Sequence, residues 1–408
     1  MGTRHETAGP EGMQQGFTEA EMAFIRENIH ANAGDLILKA GQFKGLDVKK
    51  LAGQIQSRQK ALKKLPEWSA NDKLIFPPAL SVEQCSSEAT ALYKASIVSG
   101  QALIDITGGM GIDCYYMSRS FGETHYFEQQ PAVAASAAYN FAQLRASRIQ
   151  VHAGESLKAL QEGLAADWLY ADPARRDANK EKVVRLADCT PDVAGNAALL
   201  LQSAPHILIK TSPLLDIDLA SKELQNLQEV HVIGYEQECK ELLFVLNRAM
   251  PDADFKIKIR IVDAAGQPIY QLDFDRAEER NALVGYSKPL GYLYEPHAAV
   301  LKAGAFKTLC ARYGLQKLAI HSQLYTSEKL VDDFPGRSFR IAAVCKPDIR
   351  EISQHIPGDK ANITTRNFPA KPEELRKKWK LKDGGDHYLF ATTLADQTKV
   401  VIVGVKPI

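Results

Sequence analysis

Residues 102–113 constrain this chain more than any other stretch. Ala102, Leu103 and Ile104 form an apolar run of strand character, a glycine-rich segment follows, and residues 114–118 are apolar again and compatible with a helix. Strand, glycine turn and helix in direct succession open a nucleotide-binding α/β unit. Glycine at 109 and 111 lets a ligand approach bare backbone. The helix that follows aims its unpaired N–H groups at whatever the turn holds. Two common forms of such a turn are excluded. The dinucleotide pattern Gly-x-Gly-x-x-Gly, begun at Gly109, puts Cys114 where its third glycine belongs. The phosphate loop needs Gly-Lys-Ser/Thr, and Gly111 is followed by Ile112.

What remains is Asp-x-Thr-x-Gly-x-Gly at Asp105, Thr107, Gly109 and Gly111, with further signals at fixed distances behind it. His125-Tyr126-Phe127 is a short strand ending in Glu128, which lies 17 residues after Gly111. An acid about 20 residues beyond such a turn binds ribose hydroxyls, because a carboxylate accepts both hydrogen bonds of a vicinal diol. Residues 149–151 give a third strand, followed by Glu155 and by Ser156, which is placed to cap a helix over 157–164. A fourth strand over 167–171 runs into Asp172-Pro173-Ala174-Arg175-Arg176. A carboxylate and a proline at that strand end lie in the cleft where open α/β sheets bind ligands. Arg175 and Arg176 suit a phosphate or carboxylate. A fifth strand covers 206–210. Strands over 229–234 and 242–246 follow with no ordinary helix between them, whereas a purely parallel sheet needs a crossover there.

The Asp105–Thr107–Gly109–Gly111 pattern resembles motif I of the class I methyltransferases, with Thr107 in place of the first glycine, as in some RNA methyltransferases of that family. Asp172-Pro173-Ala174-Arg175 resembles motif IV. It is nearer to the Asp-Pro-x-Arg of RNA methyltransferases acting on ring atoms than to the Asp-Pro-Pro-aromatic of enzymes acting on exocyclic amines. The resemblance spans about residues 81–248. It implies an α/β fold with a Rossmann-like seven-stranded sheet and S-adenosylmethionine as cofactor. Asp105, Thr107, Gly109, Gly111, Asp113, Glu128, Glu155 and Ser156 would bind that cofactor, Glu128 at the ribose and Glu155 near the adenine amine. Asp172 and Pro173 would hold the methyl acceptor, and Arg175 would anchor the substrate. A helix over 81–98 would close over the methionine end, offering Ser86, Ser87 and Glu88. No cysteine occupies a motif position, so no covalent enzyme–base intermediate is expected.

The flanks are different in kind. Residues 1–16 read as disordered. Thr18 and Glu21 form a capping-box pattern, and apolar residues at helical spacing run over 22–38. A helix over 48–65 carries Lys49, Lys50, Arg58, Lys60, Lys63 and Lys64 and no acid; it is either a phosphate-binding face or a solvated one. Residues 255–262 and 269–274 make a hairpin around Gly266. Two small α+β modules follow, the first with a helix over 297–313. The second holds a helix over 372–379, where Arg376, Lys377, Lys378, Trp379 and Lys380 suit either an RNA backbone with a stacked base or a packing tryptophan among solvated lysines. This part resembles the THUMP-like modules that accompany some RNA methyltransferases. The expected domains are an N-terminal helical region (1–80), the methyltransferase domain (81–276), a small ferredoxin-like α+β module (277–335) and a THUMP-like α+β domain (336–408).

Composition narrows the function. Hydrophobic residues make up 45 % and charged residues 24 % of the 408, as in globular domains. A net charge of +1 gives no global attraction to nucleic acid, so any basic surface is local. The six cysteines are scattered without a Cys-x-x-Cys pair, which argues against a zinc cluster or redox dithiol, and no metal is expected. No apolar run approaches the ~20 residues of a membrane span, and no signal peptide is visible, so a cytoplasmic protein with no membrane partner is expected. The first reading is an S-adenosylmethionine-dependent methyltransferase acting on a nucleotide in structured RNA, tRNA or rRNA. The RNA would be bound through the basic N-terminal helix and the C-terminal module. A small-molecule or protein methyltransferase, and a non-catalytic RNA-binding protein retaining the fold, remain open.

Overall fold

The structure, a computed structural model, describes residues 16–175, 185–250 and 255–407. The chain divides into two compact units. One runs to Val230 and takes in Glu241–Ala253 and Val262–Ile269; the other comprises His231–Lys240, Asp254–Ile261 and the chain from Tyr270 onward. The main sheet contains β1 (Gly100–Asp105), β2 (Phe121–Glu128), β3 (Ile149–Ala153) and β4 (Trp168–Ala171). After a two-stranded ribbon of β5 (Ala174–Arg175) and β6 (Cys189–Thr190) come β7 (His206–Thr211), β8 (Leu227–Tyr235), β9 (Glu238–Asn247), β10 (Lys256–Val262) and β11 (Pro268–Phe274). The sheet order is β11-β10-β8-β9-β7-β4-β1-β2-β3.

β1 pairs in parallel with both β2 and β4, and β4 with β7, so the loops after β1, β2, β4 and β7 leave from one edge. β9 returns antiparallel to β7, with Thr211 opposite Leu242. This is the expected methyltransferase sheet. The order runs to nine strands with β10 and β11, whereas seven were expected. β1 buries Leu103, Ile104 and Asp105 in succession, as a parallel strand covered on both faces must. The carboxylate in that run therefore needs internal partners.

Several expected helices are shorter or broken. Thr18 caps Glu19–Glu27 in a full capping box with Glu21, but Asn32 caps a separate helix, Ala33–Leu38. The helix expected over 81–98 splits into Ala79–Gln84 and Glu88–Ser96, because Ser87 accepts the Thr90 N–H and starts a new helix. Ser156 does not cap its helix, Ser156–Gln161; its hydroxyl donates to the Ile106 carbonyl at 3.0 Å instead. Gly304, at φ +76, divides the helix expected over 297–313 into Ala298–Ala303 and Phe306–Tyr313. The core beneath the glycine turn joins Leu65, Trp68, Leu74 and Phe76 to Tyr116, Tyr126 and Phe141. The N-terminal segment is thus built into the same core as the helix Ile112–Ser118.

In the second unit an eight-stranded sheet is ordered β12-β14-β15-β13-β16-β19-β18-β17. Its strands are β12 (Gly285–Tyr286), β13 (Tyr292–Pro296), β14 (Gln316–Lys317), β15 (Tyr325–Ser327), β16 (Gly336–Cys345), β17 (Asn362–Arg366), β18 (His387–Thr393) and β19 (Lys399–Val405). β13 pairs antiparallel with β16, Leu293 opposite Phe339, so the two C-terminal modules share one sheet. Among the described residues no helix is long and apolar enough to cross a membrane.

Gly111 sits at φ +81, and a Cβ there would lie 2.5 Å from the Phe141 ring. Gly111→Ala combines left-handed backbone strain with a clash in a packed core. It is expected to cost about 2 kcal/mol in urea unfolding.

Candidate active site

The site is built at the C-terminal ends of β1, β2 and β4. Asp105 ends β1 with its carboxylate buried, and its Oδ1 accepts the N–H groups of Thr107 at 3.0 Å and Gly108 at 3.2 Å. The Thr107 hydroxyl also donates to Oδ1, at 3.2 Å, while accepting the Asp172 N–H at 2.8 Å. One hydroxyl therefore ties the turn after β1 to the turn after β4. This explains the departure from glycine at 107, since glycine has nothing to offer the Asp172 amide. Burial pushes the Asp105 carboxyl up to about 7, against the hydrogen bonds from Thr107 and Gly108.

Glu128, at the end of β2, turns to the glycine bend. Its Oε2 accepts the Gly109 N–H at 2.8 Å and its Oε1 the Gln130 N–H at 2.7 Å. Each oxygen keeps a lone pair, so the carboxylate can still receive a diol. Gly109, at φ +78, has nothing within 4 Å of where a Cβ would stand. Its carbonyl is fixed by the Tyr126 hydroxyl at 2.6 Å. Glu155 is exposed at the start of Ser156–Gln161, and no side-chain partner is found for it among the described residues. An open backbone bend, an adjoining acid with acceptor capacity and a second exposed acid fit an adenosine-type cofactor. Ser156 supports the bend from behind through Ile106.

Asp113 faces inward. Its Oδ2 accepts from the Tyr170 hydroxyl at 2.6 Å and the Ser86 hydroxyl at 2.7 Å, and its Oδ1 lies 3.2 Å from the Lys94 ammonium. Lys94 is fully buried and also pairs with Glu241. Burial works to raise Asp113, but Lys94, Lys210 and the two hydroxyls outweigh it and hold the carboxyl below its ordinary range. Burial is the main reason Glu241 is raised. Ser86, Ser87 and Glu88, expected to reach the cofactor, are spent elsewhere: Ser86 on Asp113, Ser87 on its helix cap, and Glu88 as acceptor of the Trp68 N–H.

Asp172 follows β4 and is paired through Oδ2 with Lys210 of β7. Its side chain is 40 % exposed and that of Lys210 only 11 %. Pro173 is half-buried beside it. Arg175 lies in β5 opposite Cys189, its side chain beyond what is described, and Arg176 lies outside the described residues. Sequence reasoning missed Lys94, Lys210, Glu241 and Tyr170. Lys210, at the end of the fifth strand, was the one detectable signal, since a lysine closing an otherwise apolar strand needs a partner.

The basic features are largely engaged. Arg58 is buried and donates to the carbonyls of Asp72 and Leu74. Lys50 pairs with Glu21 and Lys60 with Glu83, while Lys64 donates to Val82 and Glu83 carbonyls. Trp379 packs among Ile363, Leu375 and Leu389, so its ring cannot stack on a base; Lys377, Lys378 and Lys380 are exposed. Among the described residues no group of three or more His, Cys, Asp or Glu could hold a metal ion.

Residues 292–335 match a ferredoxin-like domain and residues 336–406 a THUMP domain-like family. A crystal structure of a Porphyromonas gingivalis W83 protein designated a methyltransferase aligns at 31 % identity, covering 96 % of this chain and all of that one, with a TM-score of 0.84. The S-adenosylmethionine-dependent methyltransferase NGO1261 of Neisseria gonorrhoeae aligns at 20 % identity over 41 % of this chain and 67 % of its own, with a TM-score of 0.27. TrmK of M. capricolum, in complex with S-adenosyl-homocysteine, aligns at 12 % identity over 40 % of this chain and 68 % of its own, with a TM-score of 0.29. No curated protein matches the chain. The fold is that of a class I methyltransferase, with S-adenosylmethionine as cofactor. Within that class the chain belongs to the family of the Porphyromonas protein, with ferredoxin-like and THUMP-like domains at the C-terminus.

Two outcomes follow from the buried charges. The Asp105 carboxyl is raised in the folded chain from an ordinary 3.8 to about 7. Its contribution to stability is present below its unfolded value and is lost as pH rises through about 7. Asp105→Asn should therefore gain stability relative to wild type between about pH 4 and pH 8, in urea titrations at each pH. Lys94→Met takes from Glu241 and Asp113 their paired cation and should cost about 3–5 kcal/mol. Adding Glu241→Gln should recover more than half of that loss, measured by the same unfolding curves.

Proposed function

We propose that this enzyme methylates a nucleotide in structured RNA, in the cytoplasm. The observation that carries the proposal is a THUMP-like domain, of the kind that accompanies RNA methyltransferases, in the same chain as a methyltransferase sheet. The proposed division of labour keeps residues 1–80 as a helical region, 81–276 as the methyltransferase domain, 277–335 as the ferredoxin-like module and 336–408 as the THUMP-like domain. The exposed Lys377, Lys378 and Lys380 supply basic contacts for a phosphate backbone.

Bound S-adenosylmethionine supplies an electrophilic methyl group on a sulfonium. Asp105, Thr107, Gly109 and Gly111 shape the bend that receives it, with Glu128 on the ribose and Glu155 toward the adenine. Ser156 and Asp113 fix that bend and its helix from within. Asp172 and Pro173 orient the acceptor for in-line attack, and Arg175 anchors the substrate. Placement of two reactants in line supplies much of the rate.

The engagement of Arg58 and Trp379 in the fold favours a second reading, a small-molecule or protein acceptor. The test is incubation with labelled S-adenosylmethionine and total RNA from a deletion strain. Wild type should label an RNA species, and RNA binding should weaken steeply with salt. Asp172→Ala should lower labelling by about 100-fold while cofactor binding, followed by calorimetry, is kept. Label that enters protein or small molecules and never RNA would select the second reading.

A further inference from the structure

The residue under Asp172 has a role that the glycine bend and the Asp-Pro turn do not suggest. Lys210 closes β7, its side chain is nearly buried, and its ammonium is paired with Asp172 Oδ2. Asp172 is meanwhile held from its backbone side, where its N–H donates to the Thr107 hydroxyl at 2.8 Å. Among the described residues Oδ1 receives no hydrogen bond, and the side chain is 40 % exposed. The residue is thus held at two points, its backbone N–H and its Oδ2, and Oδ1 is left over as an acceptor.

We propose that Lys210 is a positioning residue for methyl transfer, its buried ammonium holding Asp172 so that Oδ1 alone meets the methyl acceptor. This rests on the role given to Asp172 above. It also names the acceptor's chemistry: a carboxylate oxygen accepts but cannot donate, so the acceptor atom carries a hydrogen, as an amine or hydroxyl does. As the acceptor–carbon bond forms, the carbon–sulfur bond breaks and its electron pair stays on sulfur. The methylated atom becomes acidic, and its proton passes to Oδ1 and on to water.

The cluster behind Lys210 keeps its charge in place. Burial by itself works against the charged ammonium. Asp172, Asp113 and Glu241 reverse that and hold Lys210 above the ordinary lysine range. A cation that remains charged steadies the carboxylate without competing for the acceptor's proton. Arginine and methionine differ usefully at this position: the first keeps the charge, the second keeps the length and loses it.

The test compares Lys210→Met, Lys210→Arg, Asp172→Asn and the double variant Asp172→Asn/Lys210→Met in the full chain. Lys210→Met is expected to lower kcat for labelling of total RNA by about 100-fold with KM for S-adenosylmethionine unchanged. Lys210→Arg should restore at least part of it. The double variant should be no slower than Asp172→Asn alone, because Lys210 acts only through Asp172. Additive losses, or Lys210→Met at the wild-type rate, would overturn the proposal. A crystal structure of Lys210→Met with S-adenosylhomocysteine gives an acceptor-independent reading. Asp172 in a changed rotamer supports the assignment; Asp172 unmoved defeats it. Should wild type label no RNA, the RNA reading fails by itself, and the crystal comparison still decides the role of Lys210.

Discussion

The hydroxyl of Thr107 carries the geometry of this site. It donates to Asp105 and accepts from the Asp172 amide, so the loops after two neighbouring parallel strands are locked to each other through one oxygen. The strand register makes this feasible: Asp105 lies opposite Tyr170 in the β1–β4 pair, and each chain then turns away at the same edge of the sheet. A backbone bond from Ile106 N–H to the Tyr170 carbonyl, 3.0 Å, continues the pairing to the point of divergence. The turns after β1 and β4 are therefore tied to each other by hydrogen bonds rather than merely close.

Beneath these turns lies a set of charges that a hydrophobic core would ordinarily refuse. Lys94, Asp113 and Glu241 are almost entirely buried, and the Lys210–Asp172 pair carries the set to the surface. Desolvating an ion costs several kcal/mol, so each is tolerated only because opposite charges and hydroxyls meet it. The arrangement is a weak way to gain stability and a good way to gain specificity of placement. It links the helix Glu88–Ser96, the helix Ile112–Ser118 and strands β4, β7 and β9 at their ends. Elements far apart in the chain are thereby joined to Asp172, the half-exposed member of the set.

The site was legible where chemistry is local. Glu128 belongs to the glycine bend because a strand of fixed rise ends beside it, and the Asp172-Pro173 turn announces itself as a strand end. Asp113 was legible as a site-proximal acid, but its direction was not. A residue in the first turn of a helix can face ligand or core, and only Lys94, contributed by a helix before β1, decides between them. Ser156 shows the same ambiguity: as a helix-capping residue it has a good local partner, yet the Ile106 carbonyl of a neighbouring loop takes its hydroxyl. Trp379 has the sequence surroundings of an RNA-facing ring, and the packing of β17 and β18 claims it.

What the sequence determined by itself is the succession of the main strands around the glycine bend, that bend itself, the acids at strand ends and the adenosine-type ligand these admit. Each depends on short-range geometry: alternation, helical period, capping and the backbone freedom of glycine. Tertiary structure alone decided which charges are buried together and which lysines face inward. Those outcomes depend on residues up to 147 positions apart, Lys94 and Glu241, meeting in a region of low dielectric. No local pattern encodes such a meeting, because its free energy exists only once water has been excluded from all the partners at once.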